Sequence, residues 1–306
     1  MFDLTALAEA LAAHGRVARV VIATHDGSSP REVGAAMLIW EGGQSGTVGG
    51  GALEFEAAAR ARAMLSGLAR AVDRVALGPT LGQCCGGAVT LWTEVYDALP
   101  VPEAGVIARG PGDMPLAVKR LLSAARGQGL RPVAGLVQGW LVEPVAEPER
   151  HIWVWGAGHV GRALVSVLAP LPGVAITWVD IGPERFPAMI LPGVTVVSAK
   201  DPALLADHAP VSAEHLILTY SHALDLELCH RLLARGFRSC GLIGSATKWA
   251  RFRSRLGALG HSGESIGRIK CPIGDPGLGK HPQAIAVGAV AELLRAPRVA
   301  AREKRA

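Results

Sequence analysis

The sequence predicts an α/β protein of two domains: an N-terminal α/β domain with Gly/Cys-rich loops, 1–145, and a C-terminal Rossmann-like domain with a parallel sheet, 146–306. Three observations predict it. The 306 residues, half of them apolar, exceed what a single core usually holds. A stretch rich in Pro and charge, Glu143-Pro144-Val145-Ala146-Glu147-Pro148-Glu149-Arg150, reads as a linker. Beyond it, Val/Ile/Leu runs alternate with helical stretches, the rhythm of a parallel sheet covered on both faces.

In the first half, leucines at 4, 7 and 11 behind an Asp3 cap, with Gly15 as the stop, predict a helix over 3–14. Residues 16–24 are rich in Val and Ile and run into Asp26-Gly27-Ser28-Ser29-Pro30, a buried strand ending in a tight loop. A second strand is predicted over 35–40, then a turn at Glu41-Gly42-Gly43. Gly49-Gly50-Gly51 precedes an alanine-rich helix over 52–65. Strands are predicted over 72–77 and 88–95, a helix over 114–125, and a strand pair within 133–142.

In the second half the pattern predicts strands at 151–155, 174–180, 194–197, 214–220 and 239–243. Helices are predicted at 159–168, 224–235, 246–259 and 283–294.

Composition narrows the function. The start, Met1 to Thr5, has no basic leader region, and no apolar run reaches the roughly 20 residues that a membrane span needs; a cytoplasmic address is expected, with no membrane partner. Five cysteines, of which only Cys84 and Cys85 are close in sequence, match neither a disulfide framework nor a Cys-x-x-Cys zinc site, so the thiols are read as reduced. The net charge of +5 is concentrated at 248–255 and in the tail 295–305, with two tyrosines and five phenylalanines in the chain. That is too little aromatic surface for a nucleic-acid reader, and an anionic small molecule is the expected partner.

Gly156-Ala157-Gly158-His159-Val160-Gly161 sits where a Gly-x-Gly-x-x-Gly pattern carries meaning, directly after a strand and opening a helix. The first glycine allows the turn, the second lets backbone approach a phosphate, and the third packs helix on strand. Asp180 ends the next strand, the position of a ribose-binding acid. Ser245 can cap a helix carrying Lys248, Arg251, Arg253 and Arg255, with Lys248 nearest the cap and the expected ligand contact. A solvated amphipathic helix explains the same pattern. His222 and Asp225 could form a proton-transfer pair; an acid stabilising a first helical turn beside an exposed His is the plainer reading, and His159 is likewise read as a loop residue.

In the N-terminal half the chemistry is expected at Gly82-Gln83-Cys84-Cys85-Gly86-Gly87. Glycines expose N–H groups that bind anions and lower a nearby thiol's pKa. A thiolate there could attack sulfur, receive it, or coordinate a soft metal centre. Gly27-Ser28-Ser29-Pro30-Arg31 and Gly49-Gly50-Gly51 offer two more anion cradles, with Arg31 as counter-charge.

Taken together, these residues resemble the XdhC/CoxI family, accessory proteins for xanthine dehydrogenase and related molybdenum hydroxylases. The resemblance rests on residues 27–31, Gly49-Gly50-Gly51-Ala52-Leu53-Glu54, residues 82–87, the 156–161 fingerprint, and Gly241-Leu242-Ile243-Gly244-Ser245 leading to Lys248-Trp249-Ala250-Arg251-Phe252. Cys84-Cys85-Gly86-Gly87 is the most diagnostic.

The resemblance implies a chaperone that binds molybdenum cofactor (molybdopterin), shields it while a cysteine desulfurase replaces an oxo ligand with sulfido sulfur, and delivers it to the molybdenum subunit of apo xanthine dehydrogenase. It further implies contact with molybdenum-cofactor biosynthesis proteins, a homodimer, and no turnover chemistry of its own. Cys85 is carried over as the principal residue for cofactor or sulfur handling, with a contact to the molybdenum centre, and Cys84 as its neighbour. One departure is Pro272-Ile273-Gly274-Asp275-Pro276-Gly277-Leu278-Gly279-Lys280, where family members resemble Pro-Ile-Gly-Leu-x-Ile-Gly; a differently shaped loop is expected.

The Rossmann fingerprint, the N-terminal glycine loops and the space between domains each offer a phosphate site. Two other readings compete. An NAD-dependent oxidoreductase needs a proton-transfer residue, for which only His159 or His222 is available. A zinc or redox sensor lacks the second ligand pair that a closed zinc site demands.

Overall fold

The computed structural model describes residues 1–78 and 86–295. The chain divides into two compact units, Met1–Ala146 and a second beginning at Glu147. Among the described residues no helix is long and apolar enough to cross a membrane.

The first unit opens with helix α1 (Leu4–His14). The Asp3 carboxylate accepts from the Ala6 N–H at 2.9 Å, and Gly15, at φ 75°, closes the helix. Strand β1 (Val17–Asp26) lies at the centre of a five-stranded antiparallel sheet, with β2 (Ala36–Trp40), β3 (Gly43–Gly46), β4 (Arg70–Ala76) and β5 (Ala88–Tyr96), in the order β3-β2-β1-β5-β4. Residues 17–23 of β1 are all buried, which explains their unbroken apolar run. Ala18, Val20 and Ile22 pack with Leu53, Ala57 and Ala61 of α2 (Gly51–Met64), while Val17 on the other face packs with Phe2 and Leu7.

A second sheet of the same unit is formed by β6 (Val106–Arg109), β7 (Gly135–Val137) and β8 (Trp140–Pro144), in the order β6-β8-β7, with α3 (Leu116–Gln128) packed on it. Buried charges tie the two sheets together. Arg19 of β1 holds Glu143 of β8 with two hydrogen bonds of 2.9 and 2.8 Å, and Arg109 of β6 bridges Glu143 and Glu94 at 2.6 Å each. Phe2 lies against both guanidinium groups.

This corrects the predicted linker. Glu143 is wholly buried in β8, and Arg150 is buried in β9, so only 145–149 lies between the strands. Charge reads as exposure in a sequence, but both residues have buried ionic partners.

The second unit holds β9 (Arg150–Trp155), α4 (His159–Leu168), β10 (Val174–Asp180), β11 (Val194–Ser198), β12 (Glu214–Ile217), α5 (His222–Arg235), β13 (Ser239–Leu242), α6 (Ala246–Ala258), α7 (Gly263–Gly267), β14 (Ile269–Lys270) and α8 (Pro282–Arg295). The six strands are parallel and ordered β11-β10-β9-β12-β13-β14, so the chain reverses direction across the sheet between β9 and β12. That is the doubly wound order of a Rossmann domain, and its reversal is where ligands of open α/β sheets bind.

One face packs on α5 and α6 through Leu228, Leu232, Phe252 and Leu256; the other packs on α4 and α8 through Leu164, Leu168, Ala289 and Val290. The loop expected to depart from the family pattern forms a short 3-10 turn, Pro276–Leu278, capped by Asp275. Gly274 ahead of it donates its N–H to Glu292 of α8 at 2.9 Å.

Candidate functional site

The glycine turn after β9 meets the three demands its spacing implies. Gly156 has φ 119°, and a Cβ there would lie 2.6 Å from the Leu218 carbonyl oxygen. A Cβ at Gly161 would lie 2.0 Å from the Gly156 oxygen, so only glycine lets α4 pack this closely. At Gly158 a Cβ would meet nothing within 4 Å, and no side chain caps the helix it opens. The start of α4 is therefore uncapped, with open space beside the second glycine, and an uncapped helix start of this kind can receive a phosphate.

The rest of the turn is clamped by the protein. The Trp178 indole donates to the Gly156 carbonyl at 3.0 Å, and the Arg162 guanidinium donates to the Ala157 carbonyl at 3.1 Å. The two oxygens of Asp180 accept from the N–H groups of Ala157 (2.6 Å) and Ile181 (2.7 Å), and the residue is 5% exposed. The expected ribose acid thus holds the turn in shape. A cleft of about 420 Å³ lies between the starts of α4 and α8, lined by His159, Arg162, Ser166 and His281.

At the carboxyl edge of the same sheet, Ser245 caps α6 by accepting from the Lys248 N–H at 3.2 Å, as its position predicts. The Lys248 ammonium turns inward, donating to Asp225 at 2.5 Å and to the Ile243 carbonyl at 3.0 Å. Asp225 is wholly buried and also accepts from the Thr219 N–H and hydroxyl. His222 is exposed and lies edge-on to Phe252. Asp225 therefore pairs with Lys248 rather than with His222. Beside this pair, the Cys271 thiol lies 3.8 Å from the Gly244 carbonyl, and burial pushes it up to about 11 against the pull of Lys248.

In the first unit the loop at 26–31 meets both Gly87 and Gly49. Gly27 and Gly87 approach so closely that a Cβ at Gly87 would lie 2.3 Å from the Ser28 oxygen, and one at Gly49 would lie 2.5 Å from the Pro30 ring. Gly86 is exposed beside this contact. Cys84 and Cys85, with Gly82 and Gln83, lie outside the described residues.

The cradle at 48–50 is filled from within. Glu54 accepts from the N–H groups of Val48 and Gly50 at 3.1 Å each and from the Thr47 hydroxyl. Burial raises its carboxyl, but the Thr47 hydroxyl and the Gly50, Val48 and Gly49 N–H groups bring it below the usual range. Arg31 forms two hydrogen bonds to its neighbour Glu32, so its charge is answered locally. Glu54 closes the Gly49-to-Glu54 stretch that carries the family resemblance, and the signal for its role as the loop's acceptor is an acid in the first turn of a helix that follows three glycines. Among the described residues no group of three or more His, Cys, Asp or Glu could hold a metal ion.

A doubly wound sheet, a three-glycine turn and an open helix N-terminus define the second unit as a Rossmann-type nucleotide-fold domain, joined to an antiparallel α/β unit of converging glycine loops. The model of the XdhC Rossmann domain matches residues 152–293, and that of the XdhC and CoxI family matches residues 10–75. The chain belongs to the XdhC/CoxI family.

Similar proteins include YqeB of Escherichia coli (strain K12), described as uncharacterized, 24% identical over 281 residues. That match takes in 88% of this chain but 41% of YqeB, so the chain spans about two fifths of the length of this curated relative. A crystal structure from Bacillus halodurans, described as a xanthine dehydrogenase, is 19% identical. It superimposes with a TM-score of 0.68 over 96% of this chain and 95% of its own, and so shares the fold.

Proposed function

We propose that the protein is a chaperone for molybdenum cofactor in the maturation of xanthine dehydrogenase. In this reading it holds the cofactor as cargo, shields it during sulfuration by a cysteine desulfurase, and passes it to the molybdenum subunit of the apo-enzyme. Molybdenum-cofactor biosynthesis proteins supply the cargo, and the working form is a homodimer.

The observation that carries the reading is the uncapped start of α4 at Gly158, where a Cβ would meet nothing. The terminal phosphate of molybdopterin fits such a site, with the Gly158 and His159 N–H groups as donors and the cleft lined by Arg162 and His281 alongside. Gly156 and Gly161 shape that turn, and Asp180 fixes it. Ser245 and Lys248 hold the neighbouring sheet edge in place. The cargo's molybdenum and dithiolene groups call for a soft partner, which Cys85 supplies, flanked by Cys84. Gly87, packed against residues 26–28, and the exposed Gly86 follow these cysteines directly in sequence, while Arg31 and Gly50 shape nearby loops through Glu32 and Glu54. A ribose-binding role for Asp180 competes with its two backbone hydrogen bonds, which weighs against NAD as the ligand.

Titration of the full chain with freshly released molybdenum cofactor, beside NAD and NADH, with binding read after desalting, tests this. Retained pterin is expected, with retention at least tenfold lower in Cys85→Ala and in Gly158→Val. NAD retained without pterin would make the protein an oxidoreductase; cofactor binding and target activation unchanged in Cys85→Ala would remove Cys85 from the mechanism.

A further inference from the structure

A groove of about 660 Å³ runs along α6 in the second unit, within the size range of small-molecule sites. One wall is a single stripe of the helix, because Trp249, Arg253 and Gly257 stand four residues apart. Ile266 and Ile269 supply apolar surface, and Lys270 and Cys271 line it from β14 and the residue after it. The groove is open because of its glycines. A Cβ at Gly257, Gly263 or Gly267 would meet nothing within 4 Å, and none of the three has the positive φ that demands glycine.

Arg253 makes no ion pair or hydrogen bond among the described residues, whereas Lys270 is paired with Glu292. A part-exposed indole and an unanswered guanidinium thus lie on one face of a helix, their Cβ atoms about 6 Å apart. The indole offers a face on which a flat ring stacks, and the guanidinium a fork for an anionic group one short spacer away. This face of the sheet packs on α5 and α6, opposite the face that carries α4, so the groove is separate from the glycine turn.

We propose that this groove binds a small flat heteroaromatic anion of the nucleoside monophosphate kind, its ring on Trp249 and its phosphate on Arg253. The inference does not depend on the identity of the ligand at α4.

Calorimetric titration of the full chain with AMP and GMP tests it, with adenosine and ribose 5-phosphate as arms lacking the charge and the ring. Saturable binding of one nucleotide per chain is expected, at least tenfold tighter than either fragment. Arg253→Ala should weaken it at least tenfold. Gly257→Leu, which fills the groove from a helical position without removing a polar group, should abolish it, and Gly158→Val should leave it unchanged. No nucleotide binding up to millimolar concentration overturns the proposal, as does wild-type binding in both Arg253→Ala and Gly257→Leu. Loss of binding in Gly158→Val alone would assign the nucleotide to the α4 turn and overturn it equally.

Discussion

Gly158 and Gly161 stand three residues apart at the start of α4, yet different forces keep each of them small. At Gly161 an added Cβ would lie 2.0 Å from the Gly156 carbonyl oxygen, a backbone atom that cannot rotate away, so α4 would have to lift from the sheet. At Gly158 nothing within 4 Å opposes a side chain, and φ is an ordinary −72°. Gly161→Ala is therefore expected to lower the free energy of unfolding by about 1 to 3 kcal/mol, the usual range for overpacking. Gly158→Ala should stay within about 0.5 kcal/mol of the parent. Urea denaturation of the two variants checks this, and equal losses would mean that Gly158 serves packing rather than a ligand. The contrast also makes Gly158→Val usable in binding experiments, because a loss of ligand there is not a loss of fold.

The loop from Thr47 to Gly51 behaves as one element with the first turn of α2, because Glu54 collects its N–H groups and the Thr47 hydroxyl on one carboxylate. Glu54→Gln keeps the size but replaces a charged acceptor by a neutral one, so roughly 1 to 3 kcal/mol of stability should be lost. Hydrogen exchange should rise at Val48 and Gly50 before it rises in β1. Unchanged exchange there would show that the loop is held by the close approach of Gly49 and Pro30 instead.

At this scale the sequence was legible wherever a local rule acted alone. The strand-turn-helix over 151–168 follows from steric demands within a few residues, and the caps at Asp3 and Ser245 follow likewise. It was not legible where pieces were too short to show a period: β3, β6, α7 and β14 span two to five residues. Nor was it legible where partners are distant in sequence. The sequence leaves Asp225 either a partner for His222 or an acid in the first helical turn, whereas it pairs with Lys248 across the sheet edge, and Glu143 finds Arg19 on another sheet.

Across the whole molecule, the two units carry buried titratable groups whose acid windows differ. In the second unit His215, 1% exposed, accepts from the Trp155 indole at its Nδ1, which leaves its proton on Nε2 without a partner. Burial lowers its pKa from 6.5 to about 4. The unfolded chain therefore takes up this proton first as pH falls below 6.5, and stability declines until the folded group titrates near 4, by about 3 kcal/mol in all. In the first unit, burial pushes the Glu143 carboxyl up but Arg19 and Arg109 outweigh it, bringing it to about 2. Its contribution is complete above 4.5 and is lost only as pH falls from there toward 2. Acidification from pH 7 to 5 should accordingly cost the second unit much of the His215 contribution while the Glu143 contribution in the first is kept. Hydrogen exchange by peptide should show protection falling in β9, β12 and α5 before β1 and β8. His215→Phe cannot take up a proton in either state, so it should flatten the decline between pH 6.5 and 4 whatever it does to stability at pH 7. Earlier loss in the first unit, or an unchanged slope in His215→Phe, would place the acid sensitivity in other groups.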